Sequence, residues 1–215
     1  MHQHRRGHHR GMSMTVRRAG FIGLGRVGEP MARRIHEARF LLTAWARRRE
    51  AAQSLVASGV NRAGGIADLG TACDYVGVCV LDDAAAAEIC DQLIPAMRPG
   101  SLLAVHATIC PASCEALEAR CAERGVLFCD APVDGSPDDA AAGRLVVMCR
   151  GAPEAFDAAR PVFQTFVTRI VHFGPAGAGE RAKVICNSLL AANLALTRAA
   201  MELGETFGLE RQKLH

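Results

Sequence analysis

The chain has 215 residues, half of them hydrophobic, and a formal net charge of +3. This length accommodates one large domain, or one domain and part of another, with a sizeable core. Five arginines and no acid lie in the first eighteen residues, so the near-neutral remainder does not indicate a nucleic-acid partner. No apolar run reaches the ~18 residues of a membrane span, and we expect no membrane association.

The N-terminal residues 1–14 are polar and rich in histidine and arginine. They lack the apolar stretch of a signal peptide, so we expect a disordered extension. Metal binding by its histidines is the less favoured alternative.

Nine cysteines, an odd number without a Cys-x-x-Cys pair, indicate a reducing cytoplasmic location. His106, Cys110 and Cys114 are spaced like metal ligands. Because Pro111 interrupts the helix that would align them, we expect no metal.

Strand and helix patterns alternate along residues 15–176. The predicted strands cover 18–22, 41–45, 75–81, 101–106, 126–131, 144–149 and 169–173. The predicted helices cover 27–38, 49–58, 84–94, 111–124 and a segment that begins at Pro153. Alternation with short loops predicts an α/β fold, a Rossmann-type doubly wound and mostly parallel sheet.

The pattern changes after the glycine-rich segment 174–179. Residues 180–207 predict one long helix, rich in alanine and leucine and apolar on more than one face. A helix that is apolar on more than one face is expected to be buried against another body.

A glycine turn, Gly23-x-Gly25-x-x-Gly28, follows the first predicted strand. Gly23 would allow the tight turn, Gly25 would let the backbone approach a pyrophosphate, and Gly28 would let the helix pack on its strand. By itself the motif is only a weak signal for dinucleotide binding, since an ordinary tight turn can have the same sequence. Its position between a strand and a helix favours dinucleotide binding.

The end of the second predicted strand bears on which dinucleotide is bound. NAD enzymes place an acid there to bind the ribose hydroxyl, whereas here three arginines, at 47 to 49, precede the first acid, Glu50. Guanidinium groups suit a 2′-phosphate, so we predict NADP, with NAD less favoured. The alternative is a solvated basic helix start, although cations there oppose the helix dipole.

Four segments follow one another along the chain: FIGLGRVGEPMA at 21–32, VHATICP at 105–111, DAPVDGSPDDAAAGRLVVM at 130–148 and GPAGAGERAKVICNSL at 174–189. Together and in this order they resemble the β-hydroxyacid dehydrogenase family, the relatives of 3-hydroxyisobutyrate dehydrogenase. The resemblance implies hydride transfer between a nicotinamide cofactor and a small aldehyde or β-hydroxy acid. It also implies a homo-oligomer in the full-length form and an all-α second domain. The long helix would begin that domain over 177–215 and leave it incomplete, so we expect the chain to be truncated.

The resemblance implies the site residues as well. Cofactor contacts are expected from Gly23, Leu24, Gly25, Arg26, Val27, Gly28, Arg47, Arg48, Leu81 and Thr108. Thr108 keeps a hydroxyl that could bind near the nicotinamide ribose, whereas Ala107 replaces the family's usual serine.

Lys183 and Asn187 are the candidate catalytic pair. Four residues apart, they share one helix face. An apolar cleft disfavours a charged lysine and suits it to general acid/base work, so the resemblance implies that Lys183 is the acid/base and that Asn187 orients the substrate. A surface lysine and a helix-packing asparagine are the alternative.

The expected substrate loop departs from the family pattern. Asp134 stands where the family has a serine, Ser136 and Asp139 replace two glycines, and Gly135 and Gly143 remain. Asp134 facing a substrate carboxylate would be unfavourable. Either Asp134 turns away and backbone amides, such as that of Gly135, bind the substrate, or the substrate is not an ordinary hydroxy-acid anion.

Two other functions stay open. The chain could be a non-catalytic NADP-binding fragment, or it could resemble imine reductases, which share the fold and reduce C=N bonds. The retained Lys183 argues against the second, since those enzymes are expected to carry a different residue there.

Overall fold

The computed structural model describes residues 15–173 and 178–213, and no side chains at 178–182 or 211. The expected extension at 1–14 and most of the glycine-rich segment lie outside these residues. The strands are β1 (Arg18–Ile22), β2 (Leu41–Trp45), β3 (Asn61–Arg62), β4 (Tyr75–Val78), β5 (Leu102–Val105), β6 (Leu127–Asp130), β7 (Val133–Asp134), β8 (Leu145–Gly151) and β9 (Val167–His172). The helices are α1 (Gly28–Glu37), α2 (Gln53–Ala57), α3 (Ile66–Ala72), α4 (Asp83–Leu93), α5 (Pro111–Glu123), α6 (Pro137–Ala141), α7 (Pro153–Phe163) and α8 (Ala178–Thr206).

The strands form one mixed sheet in the order β3-β2-β1-β4-β5-β6-β8-β7, with β9 paired to β8. From β3 to β6 every pairing is parallel. Strand β8 runs antiparallel to β6 and β7 and parallel to β9. The predicted doubly wound, mostly parallel sheet is therefore confirmed, with an antiparallel extension that the sequence analysis did not anticipate.

The sheet is buried on both faces. Along β5, Leu102 and Ala104 belong to a core cluster that includes residues of α1 and α7. The alternate residues Leu103 and Val105 belong to a second cluster, with residues of α3, α4 and α5. Because successive side chains of a strand point to opposite faces, two helical layers require a continuous apolar run rather than an alternating one.

The chain reverses direction along the sheet between β1 and β4. β1 is the first strand of the chain, yet β2 lies on one side of it and β4 on the other. The carboxyl ends of these three parallel strands meet at one edge, where a crevice opens between the diverging connections.

Several elements differ from their predicted bounds. The helix predicted at 49–58 is a 3₁₀ turn, Arg49–Ala52, followed by the short α2. The arginines at its start oppose the helix dipole. The strand predicted at 75–81 ends at Val78, because the chain then turns toward α4, whose first turn is capped by the Asp82 carboxylate accepting from Ala85 N at 2.8 Å.

Two strands, β3 and β7, and two helices, α3 and α6, were not predicted from the sequence. Each has seven residues or fewer, too short for a hydrophobic period to emerge. A capping signal was nevertheless present for α3, since the Asp68 carboxylate accepts a hydrogen bond from Gly65 N at 2.8 Å.

Helix α8 contradicts the expectation that no apolar run could span a membrane. Within the described residues, Lys183–Thr206 is long and apolar enough to do so by length and composition, with a mean hydropathy of 1.4 and 6% of its apolar window buried. Core helices of soluble proteins have the same length and composition, so this finding alone does not assign α8 to a membrane.

Candidate functional site

A cleft of about 500 Å³ lies at the carboxyl ends of β1, β2 and β4. Its walls are the residues that end or follow each strand, 22–25, 45–48 and 79–82, with Ala51 and two residues of α4, Ala85 and Ile89. This is the crevice at the topological switch point, where open α/β sheets bind their ligands. The predicted residues Gly23, Leu24, Gly25, Arg47, Arg48 and Leu81 all line it.

The glycines of the turn have distinct roles. A Cβ on Gly23 would lie 1.9 Å from the Cys79 carbonyl oxygen, and one on Gly28 would lie 2.0 Å from the Gly23 oxygen. Gly23 also has φ +94°, in the region that side chains disfavour. A Cβ on Gly25 would meet nothing within 4 Å, so the backbone there is open to a ligand. This open space at the mouth of the cleft fits a dinucleotide pyrophosphate.

Helix α1 begins at Gly28 beside this space, and its N-terminus favours an anion. Glu29 lies in the first turn and could oppose that field. Its carboxylate, however, accepts from Arg33 Nη2 at 2.5 Å and from Ser54 Oγ at 3.0 Å. These contacts compensate the Glu29 charge and leave the helix start suited to phosphate.

Cys79 forms part of the cleft wall. Burial raises the pKa of its thiol to about 12, so the group stays protonated and acts as a small apolar surface rather than a nucleophile. Its backbone N–H donates to the Ile22 carbonyl at 2.9 Å, which ties the end of β4 to the end of β1. Cys79, Trp45 and Asp82 were not predicted as site residues. Trp45 ends one predicted strand and Asp82 follows another, whereas Cys79 lies within the strand predicted at 75–81.

The remaining predicted cofactor residues lie outside the cleft lining. Arg26 is exposed in the turn, and Val27 packs against the core cluster that contains α1. Gly28 is buried beneath the turn, and Thr108 is half-buried after β5. Their contacts with a cofactor stay predictions.

Lys183 forms an ion pair with Asp134, between α8 and β7. The Lys183 side chain is 9% exposed and that of Asp134 is 46% exposed. Neither alternative considered from the sequence included this contact. The carboxylate that replaces the family's serine compensates the buried ammonium.

Asn187 lies one turn further along α8 and is exposed. The helix is thus present across both candidate catalytic residues, as predicted. Of these two side chains, only that of Lys183 is buried.

The conformation of the loop after Asp134 accounts for Ser136 and Asp139, which replace two glycines of the family pattern. Ser136 and Asp139 form a capping box at α6, with Asp139 N donating to Ser136 Oγ at 3.1 Å and Ser136 N donating to Asp139 Oδ2 at 3.0 Å. Gly135 and Gly143, which remain, have φ of +132° and +69°. Glycine is thus found at the two positions with positive φ, whereas Ser136 and Asp139, which replace the other two glycines, cap helix α6.

His106 belongs to the core rather than to a metal site. Its Nδ1 lies 2.9 Å from the Ala131 carbonyl and its Nε2 lies 2.8 Å from the Tyr75 hydroxyl. Burial lowers the pKa of His106 to about 4, against the opposing effect of the Ala131 hydrogen bond. The neutral ring therefore donates to Ala131 and accepts from Tyr75. Across the described residues, no three His, Cys, Asp or Glu side chains cluster as metal ligands would.

Comparison with known proteins agrees with this geometry. Residues 18–174 match the NAD binding domain of 6-phosphogluconate dehydrogenase. The NAD-dependent L-serine dehydrogenase of Pseudomonas aeruginosa is 38% identical over 209 residues, covering 93% of this chain and 68% of that protein.

Two solved structures are similar throughout the described fold. The 3-hydroxyisobutyrate dehydrogenase of Mycobacterium tuberculosis, solved with L-serine, has a TM-score of 0.85 and 30% identity, covering 94% of this chain and 69% of that one. Psf3, solved with NADP+ and 2-OPP, has a TM-score of 0.85 and 29% identity, covering 89% and 69%. The chain thus spans about two thirds of the length of these relatives.

The glycine turn, the cleft at the topological switch point and these matches lead to one assignment. The chain belongs to the 3-hydroxyisobutyrate dehydrogenase-like family of oxidoreductases and carries its nicotinamide-dinucleotide-binding domain.

Proposed function

We propose that the protein is an NADP-dependent oxidoreductase that transfers a hydride between the nicotinamide and a small aldehyde or β-hydroxy acid. The observation that carries this proposal is the burial of Lys183 against the sheet domain that also holds the dinucleotide cleft. As parts of the same proposal, we retain a binding domain over 15–176, a helical domain from 177, a homo-oligomeric state and a cytoplasmic location.

NADP is favoured by the charge of the cleft wall. Arg47 and Arg48 line the cleft after β2, where an NAD enzyme would be expected to place an acid. A guanidinium group can bind a 2′-phosphate through two parallel hydrogen bonds. The relatives differ in this respect, since Psf3 was solved with NADP+ and the L-serine dehydrogenase is named NAD-dependent.

The chemistry that we assign to the chain is proton transfer. When bound, the nicotinamide supplies or accepts the hydride. In the reductive direction the Lys183 ammonium gives a proton to the oxygen of the carbonyl, and in the oxidative direction the neutral amine takes the hydroxyl proton. Asn187 can donate its amide hydrogen to the same oxygen and orient it.

Asp134 shapes the substrate proposal. A substrate carboxylate that approaches Lys183 must also approach the Asp134 carboxylate, and like charges repel at close range. A hydroxy acid can be accommodated if backbone amides, such as that of Gly135, hold its carboxylate away from Asp134. A substrate with a neutral or cationic group near Asp134 avoids the repulsion.

The test combines purified protein with NADPH and a panel of small semialdehydes and a cyclic imine, and separately with NADP+ and small hydroxy acids. Loss of the NADPH absorbance band with a semialdehyde is the expected result, with a full-length relative as the positive control. Cofactor binding without turnover of any substrate would instead identify a non-catalytic NADP-binding protein. Turnover of the imine alone would identify an imine reductase.

A further inference from the structure

An ion pair joins the two walls of the dinucleotide cleft at its rim. Arg47 Nη2 donates to Glu88 Oε2 at 2.7 Å. Arg47 follows β2, whereas Glu88 lies in α4 between Ala85 and Ile89, which line the opposite wall. The two side chains are 69% and 59% exposed, so the pair stands at the entrance rather than in the core.

The Glu88 carboxylate uses the same guanidinium that would recognise a 2′-phosphate. One N–H group of Arg47 Nη2 is taken up by Glu88, the carboxylate offsets the positive charge of Arg47, and it would repel a bound phosphate. Arg48 lines the same cleft and, within the part of the chain that the structure describes, forms no ion pair. Without a cofactor, Arg47 is therefore paired with a carboxylate, whereas Arg48, within those same residues, is not.

We propose that Glu88 is a specificity-determining residue for the cofactor. It competes with the 2′-phosphate for Arg47 and so weakens the binding of NADP, while Arg48 provides the first contact with the phosphate. NAD lacks the 2′-phosphate, so neither the loss of a donor nor the repulsion affects its binding. The effect of Glu88 is therefore selective between the two cofactors, an inference that rests on the proposed dinucleotide function.

Trp45 provides a direct readout of binding. It is the one tryptophan of the chain, and it lines the cleft. Titration of the whole chain with NADP+ and with NAD+, followed by tryptophan fluorescence, gives both dissociation constants without any need for turnover.

Glu88→Gln is the informative variant. Because exposed ion pairs are weak, we expect its Kd for NADP+ to fall about two- to fivefold, with the Kd for NAD+ unchanged. In an Arg47→Gln background the same substitution should bring no gain, since the guanidinium for which Glu88 competes is gone.

Asp91→Asn is the matched control. Asp91 lies three residues further along α4 and pairs with Arg120 at 2.8 Å, outside the cleft lining. This variant removes the same charge from the same helix and also breaks an exposed ion pair. We expect it to leave both dissociation constants unchanged.

Three results would overturn the role of Glu88. They are an unchanged NADP+ affinity in Glu88→Gln, an equal gain for NAD+, and an equal gain in Asp91→Asn, which would reduce the effect to net charge. Failure of the proposed dinucleotide function would give a distinguishable result, since neither cofactor would then change the fluorescence of Trp45 in the unsubstituted chain. That result would overturn the proposed function and the role of Glu88 with it.

Discussion

Lys183 on α8 and Asp134 on β7 form an ion pair across 49 residues of sequence. The ammonium is buried, whereas the carboxylate is half-exposed. The contact thus ties the start of the long helix to the edge of the sheet domain. It also brings together two residues with separate predictions, Lys183 as the candidate acid/base and Asp134 in the expected substrate loop.

Asp134→Asn should destabilise the protein, because it leaves the buried Lys183 ammonium without its compensating charge. Since Asp134 is half-exposed, water screens the pair and we expect a loss of about 1 kcal/mol in the free energy of unfolding. Urea unfolding measures it. Asp138→Asn, an exposed acid in the neighbouring helix α6, is the control. Equal stability of the two variants would contradict a stabilising role for the pair.

Lys183→Met should abolish proton transfer while the cofactor still binds. General acid/base groups contribute about 10²- to 10⁴-fold to rate, so we expect turnover to fall by at least about 100-fold and the Kd for NADP+ to stay unchanged by Trp45 fluorescence. The chain has one other lysine, Lys213, which is exposed in the turn Arg211–Lys213. Lys213→Met should retain full activity, and a comparable loss there would argue against a specific role for Lys183.

Gly23→Ala and Gly25→Ala should separate folding from binding. The first places a Cβ 1.9 Å from the Cys79 oxygen at a positive φ, and we expect a loss of at least about 2 kcal/mol in unfolding free energy. The second meets nothing within 4 Å, so stability should hold while dinucleotide affinity falls. A Gly25→Ala protein that binds NADP+ normally would show that the pyrophosphate lies elsewhere.

His106 should make stability depend on pH between about 4 and 6.5. Its folded-state pKa is lowered by burial, so the unfolded chain binds the proton more readily in this window. The stabilising contribution is complete above pH 6.5 and is lost as the pH falls toward 4. From pH 7 to pH 5 we expect a loss of about 1–2 kcal/mol that is absent in His106→Asn.

Unfolding by urea at the two pH values tests this expectation. His172→Asn, which changes an exposed histidine, should keep the pH dependence of the unsubstituted chain. The same pH dependence in the His106→Asn protein would place the titrating group elsewhere.

The fold was largely predictable because long apolar runs carry a strong signal. The strand at 102–105 and the helix at 111–123 lie within one or two residues of their predicted bounds. Short elements such as β7 and α6 were missed, since their positions depend on pairing with β8 and on local caps. The antiparallel pairing of β8 with β6 also arises from contacts between distant residues, and the hydrophobic periodicity of the sequence does not encode such contacts.

The candidate site divides in the same way. By itself the sequence determined the glycine turn, the arginines after the second strand and the helical spacing of Lys183 and Asn187, because each depends on residues that are close in the chain. Only the tertiary structure decided that Asp134 meets Lys183, that Glu88 holds Arg47, and that Cys79 closes tightly on Gly23. These contacts join residues 41 to 56 positions apart, and their charges and close approaches exist only once the sheet has brought its strands together.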